Sequence, residues 1–260
     1  AMEGYEVAGV DNFNNYYDPQ LKYERANILR DKFSITVIDY DIEIIPWRHN
    51  LENFDAVIHL AAHAGVRHSL EYPQMYIDTN ITATQKLIHA CEEYEIPVIY
   101  ASSSTADSDH LNPYAWSKYV NEKQFETSKL LSSGLRFYTV YGEWGRPDMA
   151  LHTFADRMSR GKAIDIYNHG DMQRDFTYVG DLVDGIEIIL EYMLNQPQEN
   201  QHEIYDLGTG KSNELMDYIE CLENELDSFY ERFQDDFRKF RECVELASDA
   251  FVLCLELTSR

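Results

Sequence analysis

Tyr114 and Lys118 stand four residues apart in Pro113-Tyr-Ala-Trp-Ser-Lys118, a spacing that on a helix stacks two side chains on one face, about one turn apart. An ammonium held beside a phenol favours the phenolate, so the pair could take a proton near neutral pH, far below the pKa of about 10 of an ordinary tyrosine. Just upstream, the apolar run 97–101 predicts a buried strand that delivers Ser102, Ser103 and Ser104 at its C-terminal end, where open parallel sheets place their ligands. A hydroxyl there could relay a proton. Tyr-x-x-x-Lys by itself arises in many helices by chance, and a surface lysine beside a half-buried tyrosine is its ordinary explanation. The surrounding residues decide between the two.

Upstream lies Phe54-Asp-Ala-Val-Ile-His-Leu-Ala-Ala62, a strand ending in small residues, then Gly65-Val-Arg-His-Ser69 and Asp78-Thr-Asn80. Downstream come Leu135-Arg-Phe-Tyr-Thr-Val-Tyr-Gly142, Gly145-Arg-Pro-Asp-Met149, Tyr167-Asn-His-Gly170 and Arg174-Asp-Phe-Thr-Tyr178. In this order and spacing, over about residues 1 to 220, the blocks resemble the extended short-chain dehydrogenase/reductase family in its NAD-dependent nucleotide-sugar epimerase/dehydratase branch. Within that branch they look most like the UDP-glucuronate 4-epimerases.

The resemblance implies an α/β fold, a Rossmann-like doubly wound parallel sheet with a smaller C-terminal substrate domain. It also implies bound NAD and a UDP-sugar substrate inverted at C4 through a 4-keto intermediate, of the UDP-glucuronate to UDP-galacturonate type. Carried onto this sequence, Ser103, Tyr114 and Lys118 form the catalytic group, with Tyr114 and Lys118 also at the nicotinamide ribose, which Asn80 positions. Leu60, Ala61 and Ala62 allow close approach of the cofactor, and Asp11 with Asn12 meets the adenosine ribose. Asp39 contacts the adenine edge, its alternative being a helix cap. Ser104 and Thr105 line the sugar pocket, Thr139 and Arg146 hold the sugar carboxylate, and Arg174 meets the uridine diphosphate. Arg146 has an alternative too, a surface pair with Asp148. His59, lone on a buried strand, reads as structural.

The elements that must position these residues follow from periodicity. A turn and amphipathic helix span 15–30, a strand 33–38, a helix packed on the sheet 76–94, a strand 135–140 ending near Thr139, a helix 179–194 and a short strand 204–208. An acidic residue closing the second strand of a dinucleotide fold favours NAD over NADP, the place Asp11 takes. A first strand and a Gly-rich turn should precede it. The only glycines before residue 60 are Gly4 and Gly9, which cannot form that turn. In the strand order 3-2-1-4-5-6 the missing strand is central, so the sequence reads as N-terminally truncated. Residues 1–142 then form an incomplete NAD-binding domain and 143–260 a substrate-binding region ending in a long acidic helix. The stretch 106–113 before Tyr114 is also shorter than in the resembling enzymes. A non-catalytic remnant with a binding or interaction role therefore stands beside the enzyme reading, and the intact Ser103, Tyr114 and Lys118 oppose it.

Beyond about residue 225 the resemblance stops. Leu215, Ile219, Leu222, Leu226, Phe229, Phe233, Phe237, Phe240 and Val244 make one apolar stripe at helical spacing, which can cap the core or pair with another chain, as in a homodimer. Core packing is the preferred reading. With 44% hydrophobic residues over 260 positions the chain can bury a substantial core. Its net charge of -24 argues against nucleic acid and anionic membranes as partners. The four cysteines show no metal-ligand spacing and read as reduced thiols. No membrane span or signal pattern is found, so a soluble, cytoplasmic protein is expected.

Overall fold

Strands alternate with helices from residue 8 to residue 137, the pattern that builds a parallel sheet with helices as crossovers. The computed structural model describes residues 4–107, 112–195 and 201–232. Its first elements are β1 (Ala8–Asp11), α1 (Pro19–Phe33), β2 (Thr36–Asp39), β3 (Val57–His59), α2 (Val66–Glu71), α3 (Pro73–Met75) and α4 (Thr84–Tyr94). Then come β4 (Val98–Ser103), α5 (Pro113–Glu126), β5 (Ser132–Phe137), β6 (Thr139–Tyr141), α6 (Ala150–Ser159), β7 (Gln173–Arg174), β8 (Phe176–Tyr178) and α7 (Val179–Asn195). β9 (His202–Leu207), β10 (Asn213–Glu214) and α8 (Leu215–Arg232) close the described chain.

Two compact units are formed. One comprises the residues up to Phe137 together with Gly185–Leu207; the other comprises Tyr138–Asp184 and the described residues from Gly208 on. In the first, β3-β4-β5-β9 make a parallel sheet, and β1-β2 make a second parallel pair with Asp11 opposite Asp39. The expected doubly wound sheet is therefore divided at the place where a central strand would lie. Among the described residues β1 pairs only with β2, and β3 on its outer side pairs with no strand.

Burial shows what this costs. Parallel strands covered on both faces are normally buried, and five of the six β4 residues are. No residue of β1, β2 or β3 is, and Ile38 and Ile58 stay 51% and 42% exposed. Helix α1, capped by Asp18 accepting from the Gln20 N–H at 2.9 Å and opened by Pro19, buries no side chain either.

The core of the first unit lies where α4 and α5 cover β4, with Leu87, Ile88, Cys91, Val98, Tyr100 and Phe125 packed together. Tyr100 stacks on Phe125 at 4.0 Å between ring centroids, and its ring lies over Gly134, where a Cβ would collide with it. The helix expected over 76–94 is not uniform. Tyr76–Ala83 is π-helical and runs into α4, burying Tyr76, Thr79, Asn80 and Ala83. Such wide turns are rare and occur mostly at functional sites.

The strand expected over 135–140 is also interrupted. β5 ends at Phe137, and Thr139 opens β6, which pairs with β8 in the second unit. There α8 packs Leu215, Ile219 and Leu222 against Tyr141, Phe154 and Phe176, with Leu226 at the margin. The described part of the apolar stripe thus caps a core; Phe233, Phe237, Phe240 and Val244 lie outside the described residues. Cys91 is a free, buried thiol whose pKa burial raises to about 12, whereas Cys221 is disulfide-bonded, which departs from four reduced thiols. Among the described residues no helix is long and apolar enough to cross a membrane, and no group of His, Cys, Asp and Glu could hold a metal ion.

Candidate active site

Asn112-Pro113 is a strong helix start. The Asn112 side chain accepts the Ala115 N–H at 2.9 Å and Pro113 occupies the first turn, so the donor it lacks is one no helix uses there. Tyr114 therefore enters at the head of α5, with Lys118 one turn on. The Lys118 ammonium is 5% exposed and donates to the Ala101 carbonyl of β4 at 2.7 Å. Burial lowers its pKa to about 8. The lysine therefore bonds the helix to the strand that carries the serines.

Ser103 ends β4, and its hydroxyl lies 2.9 Å from that of Thr105 while also accepting the Thr105 N–H at 3.2 Å. Ser104 and Thr105 belong to a 3-10 turn, 104–107, that packs against α5. Tyr114, half-buried, sets its ring edge-on to Tyr76 at 6.3 Å. The structure thus carries Tyr114 and Lys118 on α5, which packs against β4 and against the 104–107 turn.

Asn80 is buried in the π-helical stretch and acts as a clasp. Its Oδ1 accepts the His63 N–H at 2.7 Å, and its Nδ2 donates to the His63 carbonyl and the Ser117 hydroxyl, both at 2.9 Å. Both amide protons are used, which leaves acceptor capacity only. Asn121 adds a bond from α5 to the Asn80 carbonyl at 2.6 Å. Ala61 and Ala62 follow the short β3 and are half-buried, while Leu60 is 51% exposed. His59 bonds Thr84 at 2.9 Å, and burial, then the Lys118 charge, hold its pKa near 3. It is neutral and structural.

Asp11 accepts the Phe13 N–H on Oδ1 at 2.7 Å, and Asn12 donates to Asp41 at 3.0 Å. Asp39 receives the Tyr23 hydroxyl at 3.4 Å and caps no helix. Asp41, which the sequence did not single out, also accepts the Glu43 N–H at 2.8 Å and so turns the chain after β2.

In the second unit Arg146 forks both nitrogens onto Asp148, at 3.0 and 2.5 Å. This is the surface pair named as its alternative. Arg174 is exposed and donates to the Gln173 carbonyl at 2.6 Å. Its neighbour Asp175 is the better-built residue, accepting from the Thr209 N–H and hydroxyl and the Gly210 N–H at 2.8 to 3.0 Å. Thr139 is fixed through its N–H to the Asp175 carbonyl at 3.0 Å.

The sequence and the fold match known proteins. Residues 1–208 match the model of the NAD dependent epimerase/dehydratase family. The chain belongs to that family. An uncharacterized protein, MJ1055, of Methanocaldococcus jannaschii is 38% identical over 253 residues, 87% of this chain and 75% of that one. UDP-glucuronate 4-epimerase 1 of Arabidopsis thaliana is 39% identical over 205 residues, 69% of this chain and 48% of the relative. Among solved structures, UDP-glucuronic acid 4-epimerase from Bacillus cereus in complex with NAD superposes with a TM-score of 0.77 at 28% identity, covering 85% of this chain and 75% of that one. The same enzyme with UDP-glucuronic acid and NAD gives 0.76 at 29%, with the same coverage. The fold is thus that of the Rossmann-like epimerases, and the family's cofactor is NAD.

The described residues suit the two ends of that cofactor. Tyr114 and Lys118 would stand at the nicotinamide ribose, and Asp11, with Oδ2 carrying no bond among the described residues, at the adenosine ribose. The pyrophosphate finds no Gly-rich turn before β3, since Gly9 lies within β1 itself.

The buried lysine makes a pH-dependent contribution to stability. Its folded pKa of about 8 lies below the ordinary 10.5, so below pH 8 both folded and unfolded chains carry the charge and the full burial cost stands. Between about pH 8 and 10.5 the unfolded chain holds more protons, and stability rises with pH. Lys118→Met should therefore have its greatest stability relative to the parent below pH 8. That relative stability should shrink by on the order of 3 kcal/mol by pH 10.5, read from urea midpoints of the two proteins. A difference independent of pH would mean that Lys118 is not buried as a cation.

Proposed function

We propose that the chain inverts C4 of a UDP-sugar, with UDP-glucuronate and UDP-galacturonate as the pair interconverted. The observation that carries this reading is the docking of α5 on β4 through the Lys118 bond to the Ala101 carbonyl, which gathers a tyrosine, a lysine and a serine turn at the C-terminal end of a parallel strand. The named activity of the Bacillus cereus and Arabidopsis thaliana relatives supports the same substrate class.

NAD, when bound, supplies reversible hydride chemistry. The residues of this chain manage the proton and the substrate. Tyr114 takes the 4-hydroxyl proton, directly or through Ser103, as the C4–H leaves as hydride and the C4–O bond becomes a carbonyl. Lys118, charged, stabilises the phenolate, and Ser103 and Thr105 share a hydroxyl pair that can hold the developing oxygen. With NAD bound to supply the hydride, Tyr114 would give the proton back to the C4 oxygen as the carbonyl is reduced on its other face, which inverts C4.

The 4-keto uronate is a β-keto acid, prone to lose CO2. A fixed carboxylate resists that loss, the role proposed for Arg146 with Thr139. The fork that now holds Asp148 has the geometry for a second carboxylate, so binding exchanges one carboxylate for another. Arg174 is assigned to the diphosphate. The divided sheet favours a second reading, a chain that binds the sugar nucleotide without turning it over.

Tyr114→Phe should lower kcat for UDP-glucuronate by about 10² to 10⁴ while KM stays within about twofold, since the phenol acts in the transition state. Full turnover by this variant would remove Tyr114 from the mechanism. A parent chain that binds UDP-glucuronate but yields no product would support the second reading. Arg146→Ala should cost UDP-glucuronate about 2 kcal/mol more than UDP-glucose, roughly thirtyfold in kcat/KM. Equal losses on both sugars would take the carboxylate role away from Arg146.

A further inference from the structure

We infer that Glu122, through its ion pair with Arg136, is a positioning residue that sets the placement of α5 on β4 and so of Tyr114 and Lys118 against Ser103. The inference rests on the reading of those three residues as the reactive group.

Positions 114, 118 and 122 recur at intervals of four and share one face of α5. Tyr114 and Lys118 were assigned chemistry, while Glu122, a carboxylate only 3% exposed, was assigned nothing. Its Oε1 accepts the Ser102 hydroxyl at 2.6 Å and Arg136 Nε at 2.9 Å, and its Oε2 accepts Arg136 Nη2 at 2.9 Å. Ser102 and Arg136 are themselves register partners on β4 and β5. One carboxylate therefore ties the helix to both strands. Arg136 extends the tie to Asp107, 3.5 Å away in the turn that carries Ser104 and Thr105.

The consequence for Ser103 follows from the pleat. Successive residues of a strand face opposite sides, and a slip of one residue exchanges them. With Ser102 held toward Glu122, Ser103 turns to the other face, where it meets Thr105. The backbone ladder with β5 keeps that facing, so loss of the tie would act on α5, which would then be held by the bonds of Lys118, Ser117 and Asn121. Burial acts to raise the Glu122 pKa, but hydrogen bonds from Arg136 and Ser102 outweigh it and hold it below the ordinary value. The Arg136 pKa is raised in turn, first by its bonds to Glu122. The pair is thus ionised across the working range. A half-removed buried pair leaves a charge without its partner, whereas an apolar replacement of both partners can keep the fold.

Two proteins test the inference beside the parent: Glu122→Gln, and the double variant Glu122→Leu/Arg136→Met. The ε-carbon of Lys118 is followed by NMR titration in lysine-labelled protein, with the signal assigned by its loss in Lys118→Met. This readout needs neither substrate nor turnover. Positioning by Glu122 predicts that the Lys118 midpoint rises by one unit or more from about 8 toward 10.5 in both variants, because a displaced helix lets water reach the ammonium. Turnover of UDP-glucuronate should fall at least tenfold in kcat with KM within twofold. An unchanged Lys118 titration with a lowered melting temperature alone would make the pair merely structural and overturn the inference. Return of the parent midpoint in the double variant would overturn it as well, since packing without charge would then suffice. If the parent itself shows no turnover, the epimerase reading fails while the titration still decides the role of Glu122.

Discussion

The bond from the Lys118 ammonium to the Ala101 carbonyl is the contact on which the reactive corner depends. A lysine is expensive to bury, and here the cost is set against a fixed junction between the helix that carries Tyr114 and the strand that ends in Ser103. Above it Asn80 bonds Ser117; below it Glu122 bonds Ser102 and Arg136. Polar attachments thus tie α5 to the π-helical stretch through Ser117 and Asn121, to β4 through Lys118 and Glu122, and to β5 through Glu122. Polar attachments have directional requirements that apolar packing lacks, so they define where the helix sits along the strand as well as that it sits there.

α5 is bonded to β4 although the sheet is not continuous. β4 and β5 are covered on both faces and buried, and the division falls between β1 and β3, where exposed Ile38 and Ile58 mark apolar surface without cover. Ser103 on β4 and Tyr114 and Lys118 on α5 lie on the buried side of that division. Asp11 and Asp39, which face each other in register at the ends of β1 and β2, stand on the other. Asp11 and Asp39 thus belong to the β1-β2 pair, and Ser103 to the β3-β4-β5-β9 sheet.

Much of this was legible in the sequence, and the reason differs from residue to residue. That Tyr114 and Lys118 share a helix was readable from a spacing of four, and that Ser103 ends a strand from an apolar run closing in serines. The absent turn was readable from glycines alone. Ser117, Glu122 and Arg136 were not, since their roles come from contacts across 14 to 37 positions that no local period encodes. The π-helical stretch carries the same apolar spacing as an ordinary helix over a few residues, so nothing in 76–83 distinguishes it. The break at Tyr138 was hidden because Leu135 to Tyr141 is uniformly β-prone, and only the change of pairing partner from β9 to β8 divides it. Arg146 shows the opposite case, where two readings were open and the structure displays the Asp148 pair while the substrate role is carried by the proposal.

The proposal places proton transfer on Ser103, Tyr114 and Lys118 in a structure whose described residues show no Gly-rich turn before β3 for the pyrophosphate of the family's cofactor. Calorimetric titration of NAD into the purified 260-residue protein tests it most directly. With no Gly-rich turn before β3 among the described residues to receive the phosphates, and with a net charge of -24 opposing them, the account predicts binding weaker than about 100 μM, near 5 kcal/mol. Submicromolar binding by the protein alone would contradict it, and would mean that residues of this chain receive the phosphates in a way the divided sheet does not provide.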